Sequence, residues 1–288
     1  MDQATPPDTG TEMELHRAVS DDGTEIVGRV HGQGPPLVLV PGALGDGETV
    51  WESLLPLLTD RFTCYAMSTR GRGLSGHSTD LSIERLVQDI NSFVESFDEP
   101  VGLMGWSSGA LLSLATAENT DAVSAVAAYE PPVFEVMSED VSARMMDTIG
   151  RVGEAAEEDR LVDAARAWIE FVANDDELAD AAELDFFEAL APNVPIQLQE
   201  FEQVLESEGT SPTDPSELTK ISVPVLLLQG TQSMPDPWFI DSANHVAEHV
   251  ADIHVREIAD AGHLGPVLKP EAVADELGRF FAATPEPI

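Results

Sequence analysis

The sequence predicts an α/β protein with a mostly parallel eight-stranded sheet, flanked by helices and interrupted by one helical insertion. Short apolar segments typical of buried strands alternate with segments of helical periodicity along most of the 288 residues. One long acidic stretch after the middle of the sheet region carries helical periodicity and no strand pattern. The chain is long enough for a large core domain that carries such an insertion.

The first half of the chain supplies six predicted strands. A turn at residues 21–23, Asp-Asp-Gly, joins the first two strands as a hairpin, and helical patterns at 50–58, 83–97 and 110–117 separate the later ones. The strands are predicted at 13–20, 24–31, 36–41, 62–68, 100–104 and 122–129. This alternation of strands and helices favours parallel pairing with helices on both faces of the sheet.

The second half begins with the predicted insertion. Pro131 and Pro132 end the sixth strand, and residues 133–220 contain helical patterns in a very acidic stretch, which indicates a helical cap. Strands follow at 223–228 and 253–258, with a helix at 238–250 between them and a final helix after them. We therefore expect a disordered lead at 1–12, a core formed by 13–132 and 221–283, and a cap at 133–220.

The charge balance restricts the partners and the setting. The chain has 53 acidic and 14 basic residues, a formal net charge of -39, and only two lysines. Such a surface repels nucleic acid and anionic membranes, so neither is expected as a partner. It suits concentrated salt, where the Debye length falls to about 3 Å at 1 M, and predicts a halophilic cytoplasmic protein. The N-terminus has no signal-peptide pattern, and the lone Cys64 excludes an intrachain disulfide.

The strongest chemical motif lies between a predicted strand and a predicted helix. Residues 105–109 read Gly-Trp-Ser-Ser-Gly and match G-x-S-x-G, the pattern of a nucleophile elbow. A sharp turn there exposes the Ser107 hydroxyl at the carboxyl end of the sheet. The Ser108 N–H, at the start of the helix, is placed to hold a developing oxyanion.

Over residues 13–283 the chain resembles the α/β-hydrolase family at four places. They are Pro-Gly-Ala-Leu at 41–44, Arg-Gly-Arg-Gly-Leu-Ser at 70–75, the elbow, and Asp-Ala-Gly-His-Leu at 260–264. The resemblance implies that Ala43 supplies a second oxyanion N–H, although Pro41 replaces the family's histidine and Ser68 stands where aspartate is usual. It also implies that His263 is the general base, and the chain order of nucleophile, acid and histidine agrees with this assignment.

The acid of the predicted triad has two candidates. Many family members carry aspartate three residues after the glycine that closes the strand following the cap, but here that position is Ser233. Asp236 lies three residues further on and requires a bulged loop. Glu130 ends the strand after the elbow helix, and we prefer it because a strand end needs no bulge to satisfy the triad geometry.

Two further motifs receive weaker interpretations. Residues 71–76 match G-x-G-x-x-G, but no helix is predicted to start at the third glycine, so dinucleotide binding is not expected. Residues 245–249 match H-x-x-E-H, with His245 and His249 on one helical face, but no third zinc ligand follows. We predict neither a metal nor a cofactor.

The predicted function is hydrolysis of an ester-like, neutral and mostly apolar small molecule through an acyl-enzyme on Ser107. Trp106 and Leu264 flank the catalytic candidates and are predicted pocket residues. The apolar cap residues that could line the pocket are Met137, Met145, Met146, Trp168, Phe186, Phe187 and Phe201. Thioesterase, C–C hydrolase, cofactor-free haloperoxidase and acyltransferase chemistry, or ligand binding without turnover, stay open, as does the oligomeric state.

Overall fold

The computed structural model describes residues 14–207 and 209–283, so the predicted lead at 1–12 lies outside the described residues. One sheet contains eight strands in the order β1-β2-β4-β3-β5-β6-β7-β8. The strands are β1 (Leu15–Val19), β2 (Glu25–Gly32), β3 (Pro36–Val40), β4 (Thr63–Met67), β5 (Val101–Trp106), β6 (Val123–Tyr129), β7 (Val225–Gly230) and β8 (Ile253–Ile258). The β1–β2 and β2–β4 pairs are antiparallel, and the other five pairs are parallel. The predicted mostly parallel eight-stranded sheet is confirmed.

Helices flank the sheet and fill the interval between β6 and β7. They are α1 (Ile83–Val94), α2 (Ser108–Asn119), α3 (Glu139–Glu157), α4 (Leu161–Val172), α5 (Asp175–Glu183), α6 (Phe186–Leu190), α7 (Val194–Glu206), α8 (Pro215–Leu218), α9 (Trp238–His249), α10 (Gly265–Leu268) and α11 (Pro270–Ala283). We call the part from α3 to α8 the helical segment; its described residues form no strand. The division into core and cap at residues 133 and 220 stays a prediction. No helix of the described chain is long and apolar enough to cross a bilayer.

Two apolar clusters cover the two faces of the sheet. In β3, Leu37 and Leu39 belong to the cluster that includes α11 and much of the helical segment, whereas Val38 and Val40 belong to the cluster with α1, α2 and α9. Successive side chains of a strand point to opposite faces, so a strand buried on both sides reads as a continuous apolar run. The sheet is therefore the middle layer of a three-layer core.

The helix predicted at 50–58 is wrong. The structure has a series of turns there, with a single 3₁₀ turn at Leu55–Leu57. Pro56 lacks an N–H and its ring crowds the preceding turn, so it interrupts α-helical hydrogen bonding. Trp51, Leu54 and Leu58 are nevertheless fully buried. The apolar spacing thus predicted the buried side chains correctly but not the backbone conformation.

Candidate active site

The predicted nucleophile lies at a sharp turn between β5 and α2. Ser107 has φ 57° and ψ −124°, a left-handed conformation that is strained for a side-chain-bearing residue. Its N–H donates to the Tyr129 carbonyl at 2.9 Å, and its carbonyl accepts from the Ala110 N–H at 2.8 Å. A Cβ on Gly109 would lie 2.3 Å from the Val40 carbonyl oxygen, so this close approach of helix and sheet requires glycine. Both neighbouring strands and the helix fix the turn.

The structure brings His263 and Glu130 together. The Nδ1 atom of His263 lies 2.7 Å from the Glu130 Oε2 atom, and both side chains are buried. When Nδ1–H donates to a carboxylate, Nε2 is the ring nitrogen left to accept a proton. Asp236, the alternative acid, is exposed and lies between two cis X-Pro bonds. Of the two candidates, only Glu130 contacts His263 among the described residues.

The second oxygen of Glu130 is also occupied. Its Oε1 atom accepts from the Gly230 N–H at 2.8 Å and from the Ser233 hydroxyl. Ser233 is the residue that occupies the family's usual acid position. The end of β6 and the loop after β7 therefore meet at the Glu130 carboxylate. Ser233 stabilises this carboxylate by donating a hydrogen bond and does not take its place as the acid.

The residues between β8 and α10, 259–264, form what we call the base loop, and core side chains hold it in place. The Trp106 indole N–H donates to the His263 carbonyl at 2.8 Å, and the Tyr129 hydroxyl donates to the Gly262 carbonyl at 2.6 Å. Burial raises the pKa of Tyr129 well above its ordinary value, so its phenol stays protonated as a donor. The Phe239 ring stacks on the His263 imidazole, with centroids 4.4 Å apart and planes 17° apart.

The loop after β3, residues 41–47, which we call the β3 loop, carries the predicted oxyanion residue Ala43. Ala43, Ser107 and Ser108 line one cavity. The next residue, Leu44, has φ 64°, and both its N–H and its carbonyl are hydrogen-bonded to the helical segment. Its N–H donates to Gln197 Oε1 and its carbonyl accepts from Asn193 Nδ2, both at 2.9 Å.

The predicted pocket residues Trp106 and Leu264 are both buried, and they line a small cleft together with Ser107 and His263. The larger cavity that also reaches Ser107 has a volume of about 560 Å³. Of the apolar cap candidates, Met137, Met145, Trp168 and Phe201 line that cavity and Phe186 lines the small cleft. Met146 is 46% exposed and Phe187 is fully buried, so these two lie elsewhere.

A buried polar network borders the cavity and was not predicted from sequence. One Arg72 nitrogen, Nη2, donates to Gln197 Oε1 at 2.8 Å and to Glu200 Oε2 at 2.7 Å. All three side chains are buried, and Gln197 and Glu200 line the cavity. Arg72 belongs to the family-like loop at 70–75, but no local pattern marked its partners on α7.

Comparisons with known proteins identify the family of the chain. A sequence model of the alpha/beta hydrolase family matches residues 37–276. The chain belongs to the α/β-hydrolase family. The chain is 34% identical over 86 residues to a pimeloyl-[acyl-carrier protein] methyl ester esterase of Methylococcus capsulatus, a match that covers 30% of this chain and 32% of the relative. It is 33% identical over 90 residues to a pyrrolizixenacetamide deacetylase of Xenorhabdus hominickii, covering 31% of this chain and 34% of that relative.

Both of these matches span about a third of the relative's length. Among solved structures, an esterase from Rhodococcus sp. ECU1013 is similar to this chain, with a TM-score of 0.77 and 21% identity. That likeness covers 95% of this chain and 100% of the other. It shows a shared fold over nearly the whole molecule.

The two histidines of the motif at 245–249 contact backbone carbonyl oxygens. His245 Nε2 lies 2.8 Å from the Thr213 carbonyl oxygen, and His249 Nδ1 lies 2.8 Å from the His245 carbonyl oxygen. Across residues 14–207 and 209–283, no group of three or more histidine, cysteine, aspartate or glutamate side chains is arranged to hold a metal ion.

Proposed function

We propose that the protein is a serine hydrolase that cleaves a neutral, mostly apolar ester through an acyl-enzyme on Ser107. The observation that carries this proposal is the buried contact of 2.7 Å between His263 and Glu130, with His263 lining the same cleft as Ser107. A buried imidazole whose Nδ1 faces a carboxylate is oriented to accept a proton at Nε2.

In the proposed reaction, the Ser107 hydroxyl oxygen attacks the ester carbonyl while His263 Nε2 takes the hydroxyl proton. Glu130 stabilises the imidazolium, and the N–H groups of Ala43 and Ser108 hold the negative oxygen of the tetrahedral intermediate. The C–O bond of the ester then breaks, and the proton on Nε2 passes to the departing alcohol. Water, deprotonated by His263, then attacks the acyl carbon. The bond from this carbon to the Ser107 oxygen breaks, the proton on Nε2 passes to that oxygen, and the acid is released.

The cavity supports the proposed substrate class. Apolar side chains from both the core and the helical segment line it, including Leu111, Met145, Trp168, Phe171 and Trp238. Its charged lining residues among the described part of the chain are Glu84, Glu135 and Glu200, and no lysine, arginine or histidine lines it. An apolar wall with acidic groups disfavours carboxylate and phosphate substrates and suits an uncharged ester. We propose that the helical segment acts as the cap over this cavity.

The proposal is tested by covalent labelling. The folded protein is treated in molar salt with a fluorophosphonate, and the modified residue is located by mass spectrometry. We expect modification of Ser107 in the native protein and none in Ser107→Ala. Labelling should accompany loss of p-nitrophenyl butyrate hydrolysis. Native protein that stays unlabelled at Ser107 would contradict the serine-hydrolase proposal.

A further inference from the structure

We propose that Glu177 is a positioning residue for the general base, reaching from the helical segment to fix the loop that carries His263. This inference rests on the proposed function, since it assigns Glu177 a role that acts through His263. It links the position of α5 to the orientation of the His263 imidazole.

The contacts of Glu177 bracket His263 in the chain. The Glu177 Oε1 atom accepts from the Gly262 N–H at 3.0 Å and from the Leu264 N–H at 2.9 Å. These are the residues immediately before and after His263. One carboxylate oxygen therefore fixes the backbone on both sides of the imidazole, while Glu130 fixes the ring itself.

Glu177 is in turn held by its own helix. It is the third residue of α5, where the Asn174 N–H donates to its Oε2 atom at 3.3 Å and its own N–H donates to Asn174 Oδ1 at 3.0 Å. This reciprocal capping arrangement limits the motion of both side chains. The Asn174 amide also donates to the Gln232 carbonyl at 3.2 Å, in the loop next to Ser233. Helix α5 thus contacts both loops that meet at the acid and the base.

With Glu177 in its observed position, a side chain at Gly262 of the base loop would collide with the Glu177 carboxylate. A Cβ on Gly262 would lie 2.3 Å from Glu177 Oε2. Glycine in the family-like Ala-Gly-His sequence is therefore matched here to a specific neighbour from the helical segment. The observed contact, the hydrogen bond from the Gly262 N–H to Glu177 Oε1, joins residues 85 positions apart in the chain.

The chemistry of the contact favours an ionised carboxylate. Three backbone N–H groups point at the two oxygens of Glu177, and an ionised carboxylate is an acceptor at both. Burial raises the pKa of Glu177, while the Leu264 N–H and His263 act in the opposite direction. The other ionisable groups that face this carboxyl are Glu130 and Tyr129. A buried charge beside the imidazole is costly for folding, but it stabilises the imidazolium formed during catalysis.

The test compares rates of fluorophosphonate labelling at Ser107 across pH, because this reaction needs the base but no identified substrate. In Glu177→Ala we expect the plateau rate to fall about 10- to 100-fold, since a base displaced by a fraction of an ångström transfers the proton poorly. Glu177→Gln keeps an oxygen that can accept from Gly262 and Leu264, so its plateau should recover to within about threefold of the native rate. In both variants the acid limb should move to lower pH by about half a unit, because the imidazolium loses a nearby negative charge.

Glu183 supplies the matched control, since it is an exposed glutamate on the same helix. Glu183→Ala and Glu183→Gln should leave both the plateau and the acid limb unchanged. A purely structural role for Glu177 would lower the thermal stability of its variants without moving the acid limb, and that result would overturn the proposal. If Glu177→Ala does not fold, the acid limb of Glu177→Gln decides. A native protein that is not labelled at Ser107 contradicts the proposed function instead, so the two failures are distinguishable.

Discussion

Two pairs of features in the candidate site are held in different ways. Ser107 and Glu130, which we call the sheet-held pair, depend on the strands: the Ser107 N–H donates to Tyr129 of β6, and the Glu130 N–H donates to Leu228 of β7. The base loop and the β3 loop also depend on side chains from the helical segment, namely Glu177, Asn193 and Gln197. We call these two the segment-held loops.

The contrast indicates which parts of the site the core can assemble without the helical segment. Strand ends of a parallel sheet meet at one edge whenever the sheet forms, so the sheet-held pair needs little beyond the fold. The segment-held loops depend on hydrogen bonds between residues 85 to 153 positions apart. Their geometry therefore follows the docking of the helical segment, and disturbing that segment should loosen the base and the oxyanion site before it disturbs the nucleophile.

The largest expected effect comes from the sheet-held pair. Ser107→Ala removes the attacking oxygen, and ester hydrolysis should fall by at least about 10⁴-fold because no neighbouring group replaces a lost nucleophile. Thermal unfolding should stay close to that of the native protein, since alanine keeps the Cβ and removes only the hydroxyl. Retention of more than a hundredth of the native rate would show that another residue carries the reaction.

The acid is the next test of the sheet-held pair. Glu130→Gln should lower kcat about 10³- to 10⁴-fold, since the amide no longer stabilises the imidazolium and favours the wrong tautomer. Asp236→Asn, as the control, should stay within about twofold of native activity because Asp236 is exposed and is not bonded to His263. Equal losses in the two variants would contradict the assignment of Glu130.

Ser107 and Glu130 could be proposed from the sequence because the ends of strands are recognisable in local apolar runs. The predicted bounds of β8 match those observed, and those of β6 differ by one residue, which placed Glu130 at a strand end. The elbow motif and the Gly-His pair were equally local. Glu177, Asn193 and Gln197 lie on amphipathic helices with many acidic neighbours, and nothing near them in sequence distinguishes a residue that reaches a loop across the site. The prediction of a helix at 50–58 was wrong for another reason. It relied on the apolar spacing and gave too little weight to Pro56, which interrupts helical hydrogen bonding.

A smaller effect is expected at the β3 loop. Gln197→Ala removes the acceptor of the Leu44 N–H, next to the predicted oxyanion donor Ala43, and a partner of Arg72. We expect kcat for p-nitrophenyl butyrate to fall about tenfold with a smaller change in KM. A displaced Ala43 N–H stabilises the oxyanion less, and the oxyanion develops in the transition state and not in the bound ester. Gln203→Ala on the same helix removes bonds to residues 79 and 81 only, so it is the matched control. A similar loss in both variants would point to a general effect on α7.

The smallest expected effect contrasts two carboxylates, the partly buried Glu118 and the buried Glu177. Burial raises the pKa of Glu118, at the end of α2, to about 8, and its Oε1 atom has no hydrogen-bond partner among the described residues. Because this value is above that of an unfolded glutamate, the folded state binds the proton more tightly, and the free energy of unfolding falls as pH rises towards and through 8. Glu118→Gln removes the charge and should stabilise the protein at pH 9 by about 1 kcal/mol, after allowing for solvent screening.

Denaturant titrations at pH 5 and pH 9 measure this difference. At pH 5 the gain of Glu118→Gln over the native protein should be smaller than at pH 9, since Glu118 is still protonated in the folded state there and only the unfolded glutamate has begun to ionise. Glu177→Gln should gain less stability at pH 9 than Glu118→Gln, because three N–H donors offset part of the cost of burying the native carboxylate. A gain as large as that of Glu118→Gln would mean that the Glu177 carboxylate is as poorly satisfied as that of Glu118.

The hydroxyl of Ser233 on the Glu130 carboxylate has an evolutionary consequence. Ser233 stands at the family's usual acid position, and its hydroxyl reaches the same carboxylate that contacts His263, so positions 130 and 233 both lie near the imidazole. A lineage can therefore pass through a form with a carboxylate on both strands and then lose either one, without an intermediate that lacks an acid. The migration of a catalytic group between neighbouring strands then requires two single substitutions and no change of fold, which makes the position of the acid a weak marker of ancestry among such hydrolases.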